Sequence, residues 1–340
     1  LARGLVHSMA SPPPARGVAG RAGARAARPG SPMPWSGSAW AGSPRSAPDE
    51  RAHAARATPA SSGTGSGPPK VPRAASRAQH LQEVLAKELI IKMEKSGVHK
   101  AIVVPLGPED HYLSELQEAY PGKFAAVGIY DADAPDPAEN LDRRIEESSI
   151  QGIRVGFVDQ EAGVNDDPEK YELFPLFQAM AERGLKVWFY AEPAQVEMFD
   201  RVLERLPDLV AVFNHSGFMV SLDNLSIDQH ARPHFDVQIP PPTLDLLERV
   251  GERQNTYVHF SGQYAFSHNP YPYHDMAPVA QRLHKIFGPE RMLWASDFPW
   301  ILEVPGYEEQ LNLVDIILPD LSEKELNLIK GGNAELLFNF

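Results

Sequence analysis

From about Leu81 to Phe340 the chain alternates between two patterns: short apolar runs rich in β-branched and aromatic residues, and longer amphipathic stretches of helical period. Few architectures suit this rhythm. A strand that is apolar on every residue must be buried on both faces, and a sheet covered on both faces by its own connecting helices is parallel. The apolar runs fall at 101–104, 124–130, 152–157, 185–190, 209–213, 256–260 and 291–295. Helices are expected at 81–95, 112–120, 137–148, 171–183, 193–206, 244–253, 277–287, 307–317 and 323–330, with 333–338 as a last turn. The expected fold class is therefore α/β, a TIM-like (β/α) barrel domain over residues 81–340. Eight strands close such a barrel, and this pattern supplies seven. The first strand is the one lacking, because no strand pattern precedes Leu81. A doubly wound open sheet is the alternative, but no Gly-rich phosphate loop follows any of the strands.

Residues 1–80 differ in kind. Ala, Arg, Pro, Gly and Ser dominate, without a period of either 2 or 3.6. Such a stretch buries too little surface to offset its ordering entropy, and it is expected to be a disordered, low-complexity segment. Three origins stay open: an organelle transit peptide starting near Met9-Ala10-Ser11, a flexible basic arm, or a gene-model artefact from translated G/C-rich DNA. Localisation follows from that choice, cytoplasmic or, with a genuine transit peptide, chloroplast or mitochondrion.

The same boundary divides the charge. Residues 1–80 carry a balance of +9 and the remainder −22. A field that negative repels phosphates, so nucleic acid is not an expected partner of the folded part. No apolar run reaches the roughly 18 residues of a membrane span. The chain has no cysteine, so thiol catalysis and thiolate metal sites are excluded and any metal would need histidine and carboxylate. The expected partner is a small-molecule substrate, with a homo-oligomer left open.

In a (β/α) barrel the chemistry sits at the C-terminal strand ends. Those positions hold Arg154, Tyr190 to Glu192, Asn214-His215, Ser261 to Tyr264 and Ser296-Asp297. Asp297 follows an apolar run and precedes Phe298-Pro299-Trp300, so it would be partly desolvated. It could serve as a general acid/base or metal ligand, or merely cap the following turn. His215 could be a ligand, an oxyanion donor, a base or a core histidine. Arg154 could clamp a substrate carboxylate or pair internally, even with Asp297. Tyr190, Ser261, Tyr264 and Trp300 are expected to line the substrate site. The segment 263–275 is read as a lid loop, with His274 and Asp275 capping the next helix. The segment 219–242 is read as wrapping the upper face, with His230 and His234 as lone surface histidines because Pro233 breaks any helix between them.

The order of several motifs resembles the amidohydrolase-related (amidohydrolase 2) family of TIM-barrel hydrolases, near its dicarboxylate and sugar-acid lactonase and decarboxylase members. The matching pieces are Gln151-Gly152-Ile153-Arg154, Phe213-Asn214-His215-Ser216-Gly217, Tyr257-Val258-His259-Phe260-Ser261-Gly262, Tyr271-Pro272-Tyr273-His274-Asp275, Arg291 to Pro299, and Gly332-Asn333-Ala334-Glu335-Leu336-Leu337. The segment around Asp297 is the most specific of them. The resemblance implies a hydrolase of a small carboxylated or lactone substrate, with Asp297 the catalytic aspartate and His215 the histidine of the sixth strand. It also implies a divalent metal, zinc or manganese, but the family's first-strand His-x-His pair is absent. Zinc takes about three protein ligands. Asp297 and His215 supply two, leaving Glu192 or a loop histidine (His111, His268, His274) to complete a site. In the metal-independent branch the aspartate activates water directly. The alternatives are a non-oxidative decarboxylase of the same family, or an incomplete barrel without catalysis.

Overall fold

The structure, a computed structural model, describes residues 86–105, 110–132, 134, 136–219, 224–230 and 232–340. The low-complexity segment and its expected boundary at residue 80 lie outside the described residues.

All seven expected strands form. After helix α1 (86–95) come β1 (Ala101–Val103), α2 (His111–Ala119), β2 (Phe124–Ile129), α3 (Asn140–Ser148) and β3 (Ile150–Val155). They are followed by α4 (Phe174–Glu182), β4 (Lys186–Phe189), α5 (Pro193–Arg205) and β5 (Ala211–Phe213). A short antiparallel hairpin, β6 (Leu225–Ile227) and β7 (Pro233–Phe235), then interrupts the alternation. It resumes with α6 (Leu244–Gly251), β8 (Thr256–Phe260), α7 (Gln263–Phe266), α8 (Ala277–Phe287) and β9 (Met292–Trp294). Three helices close the chain: α9 (Tyr307–Ile317), α10 (Glu323–Asn327) and α11 (Asn333–Leu337). The parallel sheet has seven strands in the order β1-β2-β3-β4-β5-β8-β9. Among the described residues no pairing joins β9 back to β1, which leaves the seat of one further strand.

Alternation along each strand splits the core in two. Side chains such as Val103, Ala126, Val187, Phe213 and Met292 pack against the helices. Ile102, Val104, Ala125, Val127, Trp188, Val212, Leu293 and Ala295 fill the interior of the curled sheet. Gly152 is required where β3 meets β4, since a Cβ there would lie 2.5 Å from the Lys186 carbonyl oxygen. The lower end is plugged by the chain's last residues: Phe338 stands edge-on to Trp188 at 6.3 Å. Asn333 donates from Nδ2 to the carbonyls of Pro289 and Met292, both at 2.7 Å, which ties the closing helix to the start of β9.

The upper face differs from expectation in two places. Residues 263–266 are not open loop but a helical turn with all four side chains buried. Asp275 does not cap α8, whose N-terminus has no side-chain cap. Its carboxylate instead accepts from Ser267 Oγ and from the His268 amide at 2.8 Å, drawing the loop into a closed turn. The hairpin packs Phe235 on Phe266 of α7 at 5.6 Å. Among the described residues no helix is long and apolar enough to cross a membrane.

Candidate active site

The strand ends bring Arg154, Tyr190, His215, Ser261, Tyr264 and Asp297 together at one end of the sheet. Asp297 leaves β9 through Ala295-Ser296 and takes a left-handed backbone, φ 57°. His215 and Ser216 leave β5 the same way, at φ 50° and 55°. Non-glycine residues held there cost about 1–2 kcal/mol each, and such strain collects where side chains must be aimed. A buried polar chain holds this geometry. Trp294 Nε1 donates to Gln310 O at 2.9 Å, Gln310 Nε2 to Gln263 Oε1 at 2.9 Å, Gln263 Nε2 to Ser216 Oγ at 3.3 Å, and Ser216 Oγ to Ser261 O at 2.9 Å. Gly262, at φ 77°, lets the β8 end pass the imidazole, because a Cβ there would sit 3.1 Å from His215 Cβ and Nδ1.

Asp297 is 3% exposed. Tyr264 Oη donates to its Oδ2 at 2.6 Å, and His215 Nδ1 lies 3.7 Å from the same oxygen. Ser261 Oγ stands 3.4 Å from His215 Nδ1. Tyr190 is edge-on to the His215 ring at 4.7 Å, and the Arg154 guanidinium lies 6.0 Å from the Tyr190 ring centre. Arg154 keeps part of its surface open, yet among the described residues its buried Nη1 has no hydrogen-bond partner.

Burial sets the protonation. It raises the Asp297 carboxyl to about 6, against the opposing pull of the Tyr264 hydrogen bond and the Arg154 charge. Burial, with Arg154 nearby, lowers His215 to about 3, so its imidazole is neutral at pH 7 and the His215–Asp297 approach is not an ion pair. The Arg154 guanidinium is itself drawn down by burial, opposed by Asp297. Burial likewise lifts the Tyr190 and Tyr264 phenols, keeping both protonated. At neutral pH the arrangement is thus a largely ionised, poorly solvated carboxylate, a neutral imidazole and an arginine.

Trp300 is half-buried against the edge of the core and bonds backbone to backbone, its amide donating to Asp297 O at 3.2 Å. Glu192 is not brought in, being exposed at the start of α5. His111, His268 and His274 are exposed as well. Among the described residues no group of three His, Cys, Asp or Glu converges. Asp297 and His215 alone do not fit the donor set of a catalytic zinc.

Two site neighbours escape a strand-end reading. His259 lies a layer below the mouth, fully buried and edge-on to Trp188 at 4.4 Å. Burial, His215 and Arg154 all lower it, so it is neutral. Its alternation with Ser261 on β8 was the available signal. Arg232 carried none, since it sits in the hairpin. It pairs with Asp228, with Nη2 to Oδ2 at 2.7 Å, and its guanidinium lies 5.2 Å from the Tyr264 ring centre. A cavity of about 430 Å³ opens there, lined by Arg232, His234, Tyr264, His268, Tyr271 and Tyr273. Tyr264 is the wall between that cavity and Asp297.

Comparison with known proteins identifies the family and the fold. The family described as Amidohydrolase matches residues 39–340. D-galactarolactone isomerase of Agrobacterium fabrum (strain C58 / ATCC 33970) is 27% identical over 143 residues, 38% of this chain and 48% of that one. 4-Sulfomuconolactone hydrolase of Rhizobium radiobacter is 23% identical over 192 residues, 55% of this chain and 58% of that one. The chain thus spans only about half the length of these curated relatives. Among solved structures, a candidate 2-pyrone-4,6-dicarboxylic acid hydrolase of Pseudomonas putida superposes with a TM-score of 0.57 at 19% identity, covering 74% of this chain and 86% of its own. An amidohydrolase from Burkholderia multivorans with bound zinc gives 0.56 at 19% identity, covering 74% and 87%. At that identity the likeness shows the fold.

Proposed function

This chain belongs to the amidohydrolase family, and from that premise we propose that it hydrolyses the ring ester of a small, carboxylated lactone by aspartate-assisted attack of water. The observation that carries the proposal is Asp297, a buried carboxylate at the strand-end site whose proton affinity lies near neutrality. A general base works best when its pKa is close to the operating pH, so a carboxylate raised by burial is better suited to the task than one at its ordinary value. Lactone hydrolase and lactone isomerase among the relatives are consistent with this substrate chemistry.

Asp297 takes a proton from water as the oxygen adds to the lactone carbonyl. It returns that proton to the ring oxygen as the C–O bond breaks, leaving a hydroxy acid. Arg154, whose Nη1 has no partner among the described residues, binds the substrate carboxylate. His215, neutral beside the base, donates to the carbonyl oxygen as charge develops. Tyr190, Ser261 and Tyr264 shape and hold the site. Among the described residues the converging donors do not fit a metal, and Asp297 acts on water directly.

The test is hydrolysis of a panel of carboxylated lactones by chelator-dialysed protein, wild type against Asp297→Asn. Turnover that falls by roughly a thousand-fold or more in the variant supports the proposal. No turnover by folded wild-type protein, or an Asp297→Asn variant of equal rate, refutes it.

A further inference from the structure

Asn214 is a residue that neither the aspartate mechanism nor the arginine clamp uses. On β5, Ala211 and Phe213 pack outward among the helices, whereas Val212 belongs to the cluster inside the sheet. The next residue continues the strand with extended backbone, φ −77° and ψ 162°, so alternation turns the Asn214 side chain to the inner face. Its backbone amide donates to Phe189 O at 2.9 Å, holding it at the mouth between the strands of Tyr190 and Ser261. The residue is 1% exposed, and among the described residues neither Nδ2 nor Oδ1 has a hydrogen-bond partner.

Buried carboxamides in folded proteins are almost always satisfied, because leaving donor and acceptor both unmade is costly. Exchanging the amide N and O changes nothing here, since both atoms lack partners. Two unmet atoms of opposite character also specify the ligand. A carboxylate or carbonyl only accepts, so it would satisfy Nδ2 and leave Oδ1 unmet. A hydroxyl supplies the missing donor.

We infer that Asn214 is a substrate-binding residue that recognises a hydroxyl group beside the lactone carbonyl, which makes the substrate class a hydroxylated lactone rather than an unsubstituted or purely unsaturated one. The inference rests on the lactone-hydrolysis reading and narrows it. Oδ1 accepts from the substrate hydroxyl, and Nδ2 donates to a neighbouring substrate oxygen. Arg154 remains the anchor for the carboxylate.

The experiment compares kcat/KM for 2-hydroxy-γ-butyrolactone and γ-butyrolactone, using the full chain and its Asn214→Leu variant. The wild type is expected to favour the hydroxylated lactone by roughly 10- to 100-fold, as a site built to pair a hydroxyl rejects the analogue lacking it. In the variant the ratio falls towards unity. Asn214→Ser, smaller and still polar, serves as second variant should the leucine protein fail to fold. A wild-type ratio near one, or a ratio unchanged in the variant, overturns the inference. If the wild type turns over neither compound, both of which lack the carboxylate that Arg154 anchors, the hydrolase reading is decided by its own carboxylated panel, and calorimetric titration decides the binding claim separately. Stronger binding of 2,4-dihydroxybutyrate than of 4-hydroxybutyrate, lost in the variant, supports the role of Asn214; equal binding or none overturns it.

Discussion

Replacing Asp297 with asparagine should make the protein more stable while destroying its activity, and the gain should depend on pH in a defined way. Burial lifts the carboxyl from the ordinary 3.8 to about 6. A group whose folded pKa is raised favours the native state below the unfolded value and loses that contribution as pH rises through the folded one. At acidic pH both states hold the proton and the variant gains little. Above pH 6 the wild type must keep a desolvated charge that asparagine does not carry. From the two values the advantage of Asp297→Asn grows from about 1 kcal/mol at pH 4.5 to about 3 kcal/mol at pH 8. For a domain of this size that corresponds to a melting temperature higher by roughly 5–10 °C at pH 8. Differential scanning calorimetry of both proteins at the two pH values reads it directly. A variant that melts at or below the wild type at pH 8, or an advantage that does not change with pH, would refute the claim that Asp297 is a strained, desolvated base.

Three further outcomes follow from the same geometry. Tyr264→Phe removes the 2.6 Å donor that stabilises the ionised carboxylate, so the acid limb of kcat/KM moves to higher pH and activity at pH 6 falls several-fold more than at pH 8; parallel losses at both pH values would contradict it. Arg154→Met should raise KM for a carboxylated lactone by roughly 10- to 100-fold and leave its methyl ester little affected, and equal effects on both would remove arginine from carboxylate binding. Gly262→Ala forces a side chain into left-handed backbone with its Cβ 3.1 Å from His215 Nδ1, which should cost about 1–2 kcal/mol in urea titration and lower kcat as well; unchanged stability would mean that the loop yields freely.

How much of this was legible in the sequence can be judged element by element. The apolar runs at 101–104 and 256–260 announced β1 and β8, because a strand buried on both faces has little choice of residues. The helix expected over 277–287 forms over those residues, with Pro278 in its first turn and Gly288 at its C-terminal end. Asp297, His215 and Arg154 were visible as polar residues closing apolar strands. Less could be read where tertiary contacts set the structure. Nothing local in Gln263-Tyr264-Ala265-Phe266 signals a buried helical turn, since its stability comes from Phe235 and the site below it. Asp275 looked like a helix cap by position, but Ser267 and the His268 amide hold it in the fold. Arg232 reaches Tyr264 from the hairpin, a contact with no short-range pattern. Asn214 stood at a strand end in the sequence but drew no role there, and His259 drew none either: each is an inward residue, and only the sheet's alternation shows which side chains share the barrel interior.

The central claim is that the ionised form of Asp297, acting on water without a metal, performs the hydrolysis. The pH dependence of kcat/KM for a carboxylated lactone, measured on chelator-treated wild-type protein, tests it most directly. The account predicts activity that survives chelation, rises with pH through an inflection near 6, and is level above pH 7. Activity abolished by the chelator and restored by zinc, or a profile flat from pH 5 to pH 8, would contradict it.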